Sequence, residues 1–204
     1  KTATGLSVEN TWDVASMRGT GSDDLVLQNV RVAASSLVEI PSYSTGFKLN
    51  GWLLLIPATY LGIAQAARDY AVKFATEHSP NSIQGTIADL PNVQTLIGEM
   101  DLALTNARFT IYGVAELYKD PTKKSTIINE VNIAKHVVTN MAIEVVDKAM
   151  RLVGAKSLQR SNPLQRYYRD VRAGLHNPPM DDITIKRLAE TAIQNQLKKK
   201  EVIV

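Results

Sequence analysis

Ser125-Thr-Ile-Ile-Asn-Glu-Val-Asn-Ile-Ala-Lys-His-Val-Val-Thr-Asn-Met-Ala-Ile-Glu-Val-Val-Asp-Lys-Ala-Met-Arg-Leu-Val153 is the stretch whose pattern decides the fold. Ile127, Val131, Ala134, Val138, Met141, Val145, Ala149 and Leu152 recur at steps of three and four, which is one face of a helix. Ser125 stands where an N-cap belongs, and Gly154 follows where a helix ends. The apolar face here is rather broad, as it is on the two long helices before it, which suggests burial on more than one side and hence oligomerisation.

The same period runs through the preceding chain. Val93, Leu96, Met100, Leu104, Ala107, Ile111 and Val114 predict a helix from Pro91 to Tyr118, with proline in its favoured first-turn position. Leu53, Ile56, Tyr60, Ile63, Ala67, Tyr70 and Phe74 predict another over 49–78, with Pro57 demanding a kink or a later start. Shorter helices are expected over 163–174 and 181–198. Long helices joined by short connections pack antiparallel, so the chain reads as mainly α, an up-down helical bundle. Residues 1–33 read differently: Leu25–Val32 alternates like a strand, and Gly19-Thr-Gly-Ser-Asp23 reads as a turn. The expected division is a β region at 1–33, a Ser/Pro/Gly-rich connector at 34–47 and a bundle at 48–204. Lys1 opens inside the β region, which suggests a fragment of a longer chain.

The 204 residues are 45% hydrophobic, enough for a folded core. Net charge is only +3 and is spread along the chain, unlike a nucleic-acid-binding face. Without cysteine there is no disulfide, thiolate nucleophile or Cys-ligated metal, and the three histidines lack metal-ligand spacing. We expect no metal, no nucleic acid and no membrane span. The most apolar run, Trp52–Ala67, is too short to cross a bilayer comfortably. A cytoplasmic setting is expected.

Chemistry concentrates in Arg166-Tyr-Tyr-Arg-Asp-Val-Arg-Ala-Gly-Leu-His-Asn-Pro-Pro-Met-Asp-Asp182. Three arginines and a histidine sit beside a paired-proline turn there, and His176 can change charge near neutral pH. His78 is expected at a helix end and His136 on a helix surface. No nucleophile-elbow motif supports a serine hydrolase.

Several ordered motifs resemble the acyl-CoA dehydrogenase superfamily. Trp12-Asp-Val-Ala-Ser-Met-Arg-Gly-Thr-Gly-Ser22 with Leu25–Val32 resembles the end of its middle β domain. Leu61-Gly-Ile-Ala-Gln-Ala66, Val93-Gln94 and Ile97-Gly-Glu-Met100 resemble the first two helices of its C-terminal domain. Leu152-Val-Gly-Ala155, Pro163-Leu and Arg169-Asp170 match the end of the third helix and the next segment. The resemblance implies a helical bundle of the acyl-CoA dehydrogenase C-terminal type, with a remnant of the β domain before it. It also implies a flavin cofactor, normally FAD, a small-molecule substrate, and a homo-oligomer built as a dimer of dimers. With most of the β domain absent, this stretch alone is expected to be inactive.

The branch turns on the base. An acyl-CoA dehydrogenase needs a carboxylate to remove the α-proton. Its two family positions fall here near Pro178 and near Trp52, and neither is Glu. Leu175-His-Asn-Pro178 and Met17-Arg-Gly-Thr-Gly-Ser22 instead resemble the reduced-flavin-dependent monooxygenases of the same fold, in which a loop histidine faces flavin and substrate. The resemblance makes His176 the candidate catalytic residue. It makes Gln94, Arg151, Gly154 and Asn177 candidate cofactor contacts, and Trp52 and Tyr60 candidate substrate contacts. Arg151 stands where many dehydrogenases carry Gln. His78-Ser-Pro-Asn-Ser82 replaces the family's diphosphate-binding segment, so FMN stands as an alternative to FAD. Three readings remain open: a monooxygenase-like enzyme acting on an aromatic or heterocyclic compound, a dehydrogenase acting on an acyl-CoA, and a non-catalytic oligomerisation module.

Overall fold

A computed structural model describes residues 3–38, 40, 51–124 and 126–201, with side chains placed as far as residue 199. The chain forms two compact units, Lys1–Lys48 and Leu49–Val204. In the first, β1 (Leu6–Glu9) pairs antiparallel with β2 (Asp24–Leu27), Leu6 opposite Leu27. The intervening loop is tied back to β2: Trp12 N–H donates to Asp23 Oδ1 at 3.0 Å, and Asp24 N–H to Thr11 Oγ1 at 3.1 Å. The strand expected over 25–32 ends at Leu27, because Asn29 takes a left-handed φ of 53° that no strand continues.

The second unit is the helical bundle: α1 (Trp52–Glu77), α2 (Pro91–Lys119), α3 (Ile128–Val153), α4 (Pro163–Asp170) and α5 (Asp181–Glu201). The first and third start three residues inside their expected bounds. The proposed cap Ser125 and most of the 34–47 connector, with Leu49, lie outside the described residues. Pro57 lies within α1 rather than ending it. Lacking an N–H, it cannot donate to the carbonyl four residues back, and burial of its ring among the core residues offsets that loss. The helix expected over 163–174 is α only to Asp170 and tightens into a 3₁₀ turn over Val171–Leu175.

Helix α3 is the centre, with α1, α2, α4 and α5 all packed on it. Val131, Ala134, Val138, Met141, Ala142, Val145, Val146 and Ala149 are buried on its several faces, as its broad stripe implies. The fully buried residues include Ala64, Ala67, Ala71 and Ala75 on α1 and Met100, Leu104 and Ala107 on α2. Alanines bring two helix axes close, and ridge-into-groove packing follows. Polar rivets fix the helix registers at the rim. Arg68 pairs with Asp101 at 3.0 Å and Lys148 with Glu99 at 2.5 Å, while Arg108 bonds Gln65. Asn162 caps α4 by accepting from Leu164 N–H at 3.0 Å, and its own amide donates to Tyr70 of α1 at 3.0 Å. No helix among the described residues is long and apolar enough to cross a membrane.

Leu104 on α2 is fully buried, whereas Lys186 on α5 is exposed. We expect Leu104→Ala to cost about 2–5 kcal/mol and Lys186→Ala under about 0.5 kcal/mol, measured by urea unfolding.

Candidate functional site

Two features of the bundle hold polar chemistry. The first is the loop between the 3₁₀ turn Val171–Leu175 and α5. Gly174 is buried at its start, and a Cβ there would lie 3.2 Å from Thr139 on α3 and 3.2 Å from the Tyr60 ring on α1. Only glycine lets the backbone come this close without moving its neighbours. His176 is next but one, with its side chain exposed. Asn177 follows, and its Oδ1 accepts from the Tyr60 hydroxyl at 2.7 Å. Pro178–Pro179 is a cis bond. Burial first, then the Asp170 charge, pushes the Tyr60 hydroxyl up to about 12, so it donates throughout the physiological range.

The far end of the loop meets an ionic cage. Asp181, first residue of α5, accepts from Asn140 Nδ2 at 2.7 Å. Its carboxylate also lies 3.1 Å from His136 Nδ1 and 3.5 Å from Lys135 Nζ. Lys135 is 1% exposed, a buried cation that Asp181 partners. Burial lowers the Lys135 ammonium, and the Asp181 charge opposes that. Burial likewise raises the Asp181 carboxyl, but the Asn140 bond, His136 and Lys135 outweigh it and leave it below its usual 3.8. The expectation that His136 is a plain surface residue is thus corrected: it is half-buried and paired with Asp181.

The second feature is a groove of about 570 Å³ at the C-terminal end of α3. Asp147, Arg151, Gly154, Leu158, Tyr168 and Arg169 are among its walls. Gly154 adopts φ +69° with open space where a Cβ would stand. Arg151 Nε is braced by Asp147 at 2.7 Å and Arg169 by Gln165 at 2.9 Å, while Arg172 lies over the Tyr168 ring at 4.6 Å. A groove of this size with cations and one exposed ring suits a ligand that carries both phosphate and an aromatic ring. Those residues fit the nucleotide end of a flavin.

The structure therefore groups the sequence-derived candidates in two places. Arg151 and Gly154 share the groove. Tyr60 and Asn177 bond each other beside His176. Gln94 is elsewhere: exposed on the first turn of α2, its amide donates to Ala88 O at 3.1 Å. Trp52 opens α1 and is 43% exposed. Sequence reasoning missed Lys135, Asn140, Asp181 and Tyr168. Lys135 and Asn140 are polar residues on a helix whose other positions are mostly core, which was the available signal. His78 ends α1, where its ring stacks on Phe74 at 4.8 Å. No group of three His, Asp or Glu side chains among the described residues is placed to hold a metal ion.

The acyl-CoA dehydrogenase C-terminal domain family matches residues 49–175, from the start of the bundle through the turn before His176. The chain belongs to the acyl-CoA dehydrogenase superfamily. Members of this superfamily are flavin-dependent oxidoreductases. Bacillus subtilis YdbM, provisionally named an acyl-CoA dehydrogenase, is 60% identical over 191 residues, covering 94% of this chain and 50% of YdbM. The L-evernosamine nitrososynthase of a Micromonospora strain is 33% identical over 184 residues, covering 84% of this chain and 42% of its own. The structure of KijD3 with FMN and a dTDP-linked amino-keto sugar superposes with a TM-score of 0.72 at 26% identity, covering 95% of this chain and 50% of that one. The chain thus spans about half the length of the relatives it matches.

The folded Asp181 carboxyl lies below its unfolded value, so its stabilisation is complete above about pH 4 and is lost as pH falls through the folded value. Asp181→Asn should cost about 1–3 kcal/mol near neutral pH, because it strips the countercharge from buried Lys135. Urea unfolding of both proteins should show that difference shrinking as pH is lowered from about 6 to about 2.5.

Proposed function

We propose that this chain is the helical part of a flavin-dependent oxidoreductase of the monooxygenase-like branch, with His176 as the residue that faces flavin and substrate. One observation carries the reading. The loop between α4 and α5, residues 171–180, holds a presented histidine and no carboxylate. The alternative position for a base, at the start of α1, is filled by Trp52. A dehydrogenase has nowhere in these two places to put its base. The nitrososynthase relative and the FMN-bound KijD3 neighbour support the same branch. The name of YdbM supports the second reading, dehydrogenation of an acyl-CoA with a base supplied from outside this stretch.

The flavin, when bound, supplies the redox chemistry. The chain positions and protonates. An imidazole such as that of His176 can donate as well as accept a hydrogen bond, where an ionised carboxylate only accepts. The Tyr60–Asn177 bond keeps the neighbouring backbone in place. In the groove, Arg151 and Arg169 would meet phosphate, and the Tyr168 ring would face an aromatic ring. A rise of 1.5 Å per residue puts Arg151 roughly 15 Å or more along α3 from Asn140. The loop and the groove therefore suit different ends of an extended cofactor, or the cofactors of two subunits. We take the ligand to be FAD, with FMN the alternative that would leave the groove unused. We take the assembly to be a dimer of dimers in which one subunit's flavin tail enters its neighbour's groove. The substrate would be an aromatic or heterocyclic small molecule, the setting cytoplasmic, and residues 1–33 the end of the flavin-binding β domain.

The test uses the protein at the length of its relatives. Reoxidation of bound reduced flavin by oxygen, followed by stopped-flow absorbance, should change about tenfold or more in His176→Ala. An unchanged rate contradicts the assignment of His176. Arg151→Ala should weaken FAD binding about tenfold and leave FMN binding unaltered, measured by flavin fluorescence titration.

A further inference from the structure

The loop that carries His176 is pinned at three points, and the pins come from both helices beneath it. Gly174 sits so near Thr139 and the Tyr60 ring that an added Cβ would lie 3.2 Å from each. Asn177 is held by the Tyr60 hydroxyl at 2.7 Å. Asp181 is held by Asn140 at 2.7 Å, His136 at 3.1 Å and Lys135 at 3.5 Å. Met180, the residue before that cage, is drawn into the first turn of α5: its carbonyl accepts from Thr184 N–H at 3.1 Å and from the Thr184 hydroxyl at 3.3 Å. His176 therefore stands two residues after one pin and one residue before the next. Its side chain is exposed while the backbone on either side is fixed.

We propose that Tyr60 and Asp181 are positioning residues for His176, Tyr60 acting through Asn177 and Asp181 acting through the Lys135–His136–Asn140 cage on α3. This assigns Tyr60 and Asn177 to each other rather than to substrate and cofactor, and it gives the buried Lys135 a use. The proposal rests on the reading of His176 given above.

The two holds differ in kind. The Tyr60 bond is a neutral hydrogen bond from a half-rigid aromatic side chain on α1. A tyrosine hydroxyl on a buried ring cannot follow Asn177 if the loop moves, so the bond selects one loop position. The Asp181 hold is charge-assisted and shorter at Asn140 than a neutral amide contact usually is. Lys135, 1% exposed, has no water to fall back on, so releasing Asp181 would strand a buried cation. Both holds act on the segment after His176, Tyr60 at the next residue and Asp181 at the start of α5, while the close packing of Gly174 limits the segment before it. A site that must hold a reactive side chain within a fraction of an ångström needs supports of this type.

The test compares Tyr60→Phe, Asp181→Asn and the adjacent exposed-site control Asp182→Asn, all at the length of the relatives. Asn140→Ala keeps the charges of Asp181 and buried Lys135 and serves in place of Asp181→Asn should that variant fail to fold. Native-state amide exchange over 174–180 should quicken about tenfold or more in Tyr60→Phe and Asp181→Asn and stay at the wild-type rate in Asp182→Asn. Flavin reoxidation should shift towards the His176→Ala rate in both positioning variants. The double variant Asp181→Asn/His176→Ala should match His176→Ala alone, because a positioning effect vanishes once the positioned group is gone. A purely structural role would make the two changes add. Unchanged exchange in folded Tyr60→Phe and Asp181→Asn overturns the proposal. So does a His176→Ala effect that neither positioning variant reproduces. If His176→Ala itself leaves reoxidation unchanged while the loop loosens as expected, it is the catalytic reading of His176 that falls, and the positioning of a catalytic group falls with it.

Discussion

The burial of α3 is the constraint on which the rest of the bundle depends. A helix covered by four others has almost no face on which polar residues can sit without partners. Its apolar positions drive the association, and each fully buried valine, such as Val138 or Val145, contributes about 1.5–3 kcal/mol to it. The polar residues that α3 does carry are correspondingly constrained. Lys135, His136, Thr139 and Asn140 lie within one and a half turns and meet α5 and the His176 loop. Asp147 and Arg151, two to four turns later, meet the solvent at the groove. One helix thus sets the position of both polar features.

That arrangement links packing to dynamics and then to chemistry. Exposed ion pairs such as Lys73–Glu77 are worth little, since both partners are equally content in water. Asp181 differs because one of its partners is a lysine that cannot reach water. The cost of opening the loop therefore includes desolvated charge as well as lost contacts. Gly174 and the Tyr60 bond add steric and directional limits at the other end.

Much of the fold was legible from period alone. The stripes on α2 and α3 name mostly buried residues, whereas on α1 only Leu53, Tyr60 and Ala67 of the stripe are buried, with Ala64, Ala71 and Ala75 buried beside them; Pro91 and Pro163 sit at the first turns of α2 and α4. The end of α4 was read too long because apolar Val171 and Ala173 continue the pattern, whereas Gly174 packs against Thr139 in a tighter turn. The site was less legible. Tyr60 and Asn177 are 117 positions apart, and Asn140 and Asp181 are 41 apart. No local pattern pairs residues at such distances. His136 looked like a surface residue because its neighbours in sequence are polar, but those neighbours are part of the same cage. Arg151 and Gly154 were reached through likeness to the family, while Tyr168 and Leu158 complete their groove from segments that only the fold brings together.

The proposed function parts from plain dehydrogenation at one point: His176, not a carboxylate, stands in the loop where the resemblance places a dehydrogenase's base. A loop with His176 and no carboxylate offers no glutamate-like base for an α-proton, and Trp52 stands at the other place for one. The most direct measurement is anaerobic mixing of the flavin-loaded protein, at the length of its relatives, with a series of acyl-CoA thioesters, followed by flavin absorbance. The account predicts that the oxidised flavin spectrum persists. Bleaching of the flavin by an acyl-CoA in the absence of oxygen would contradict it.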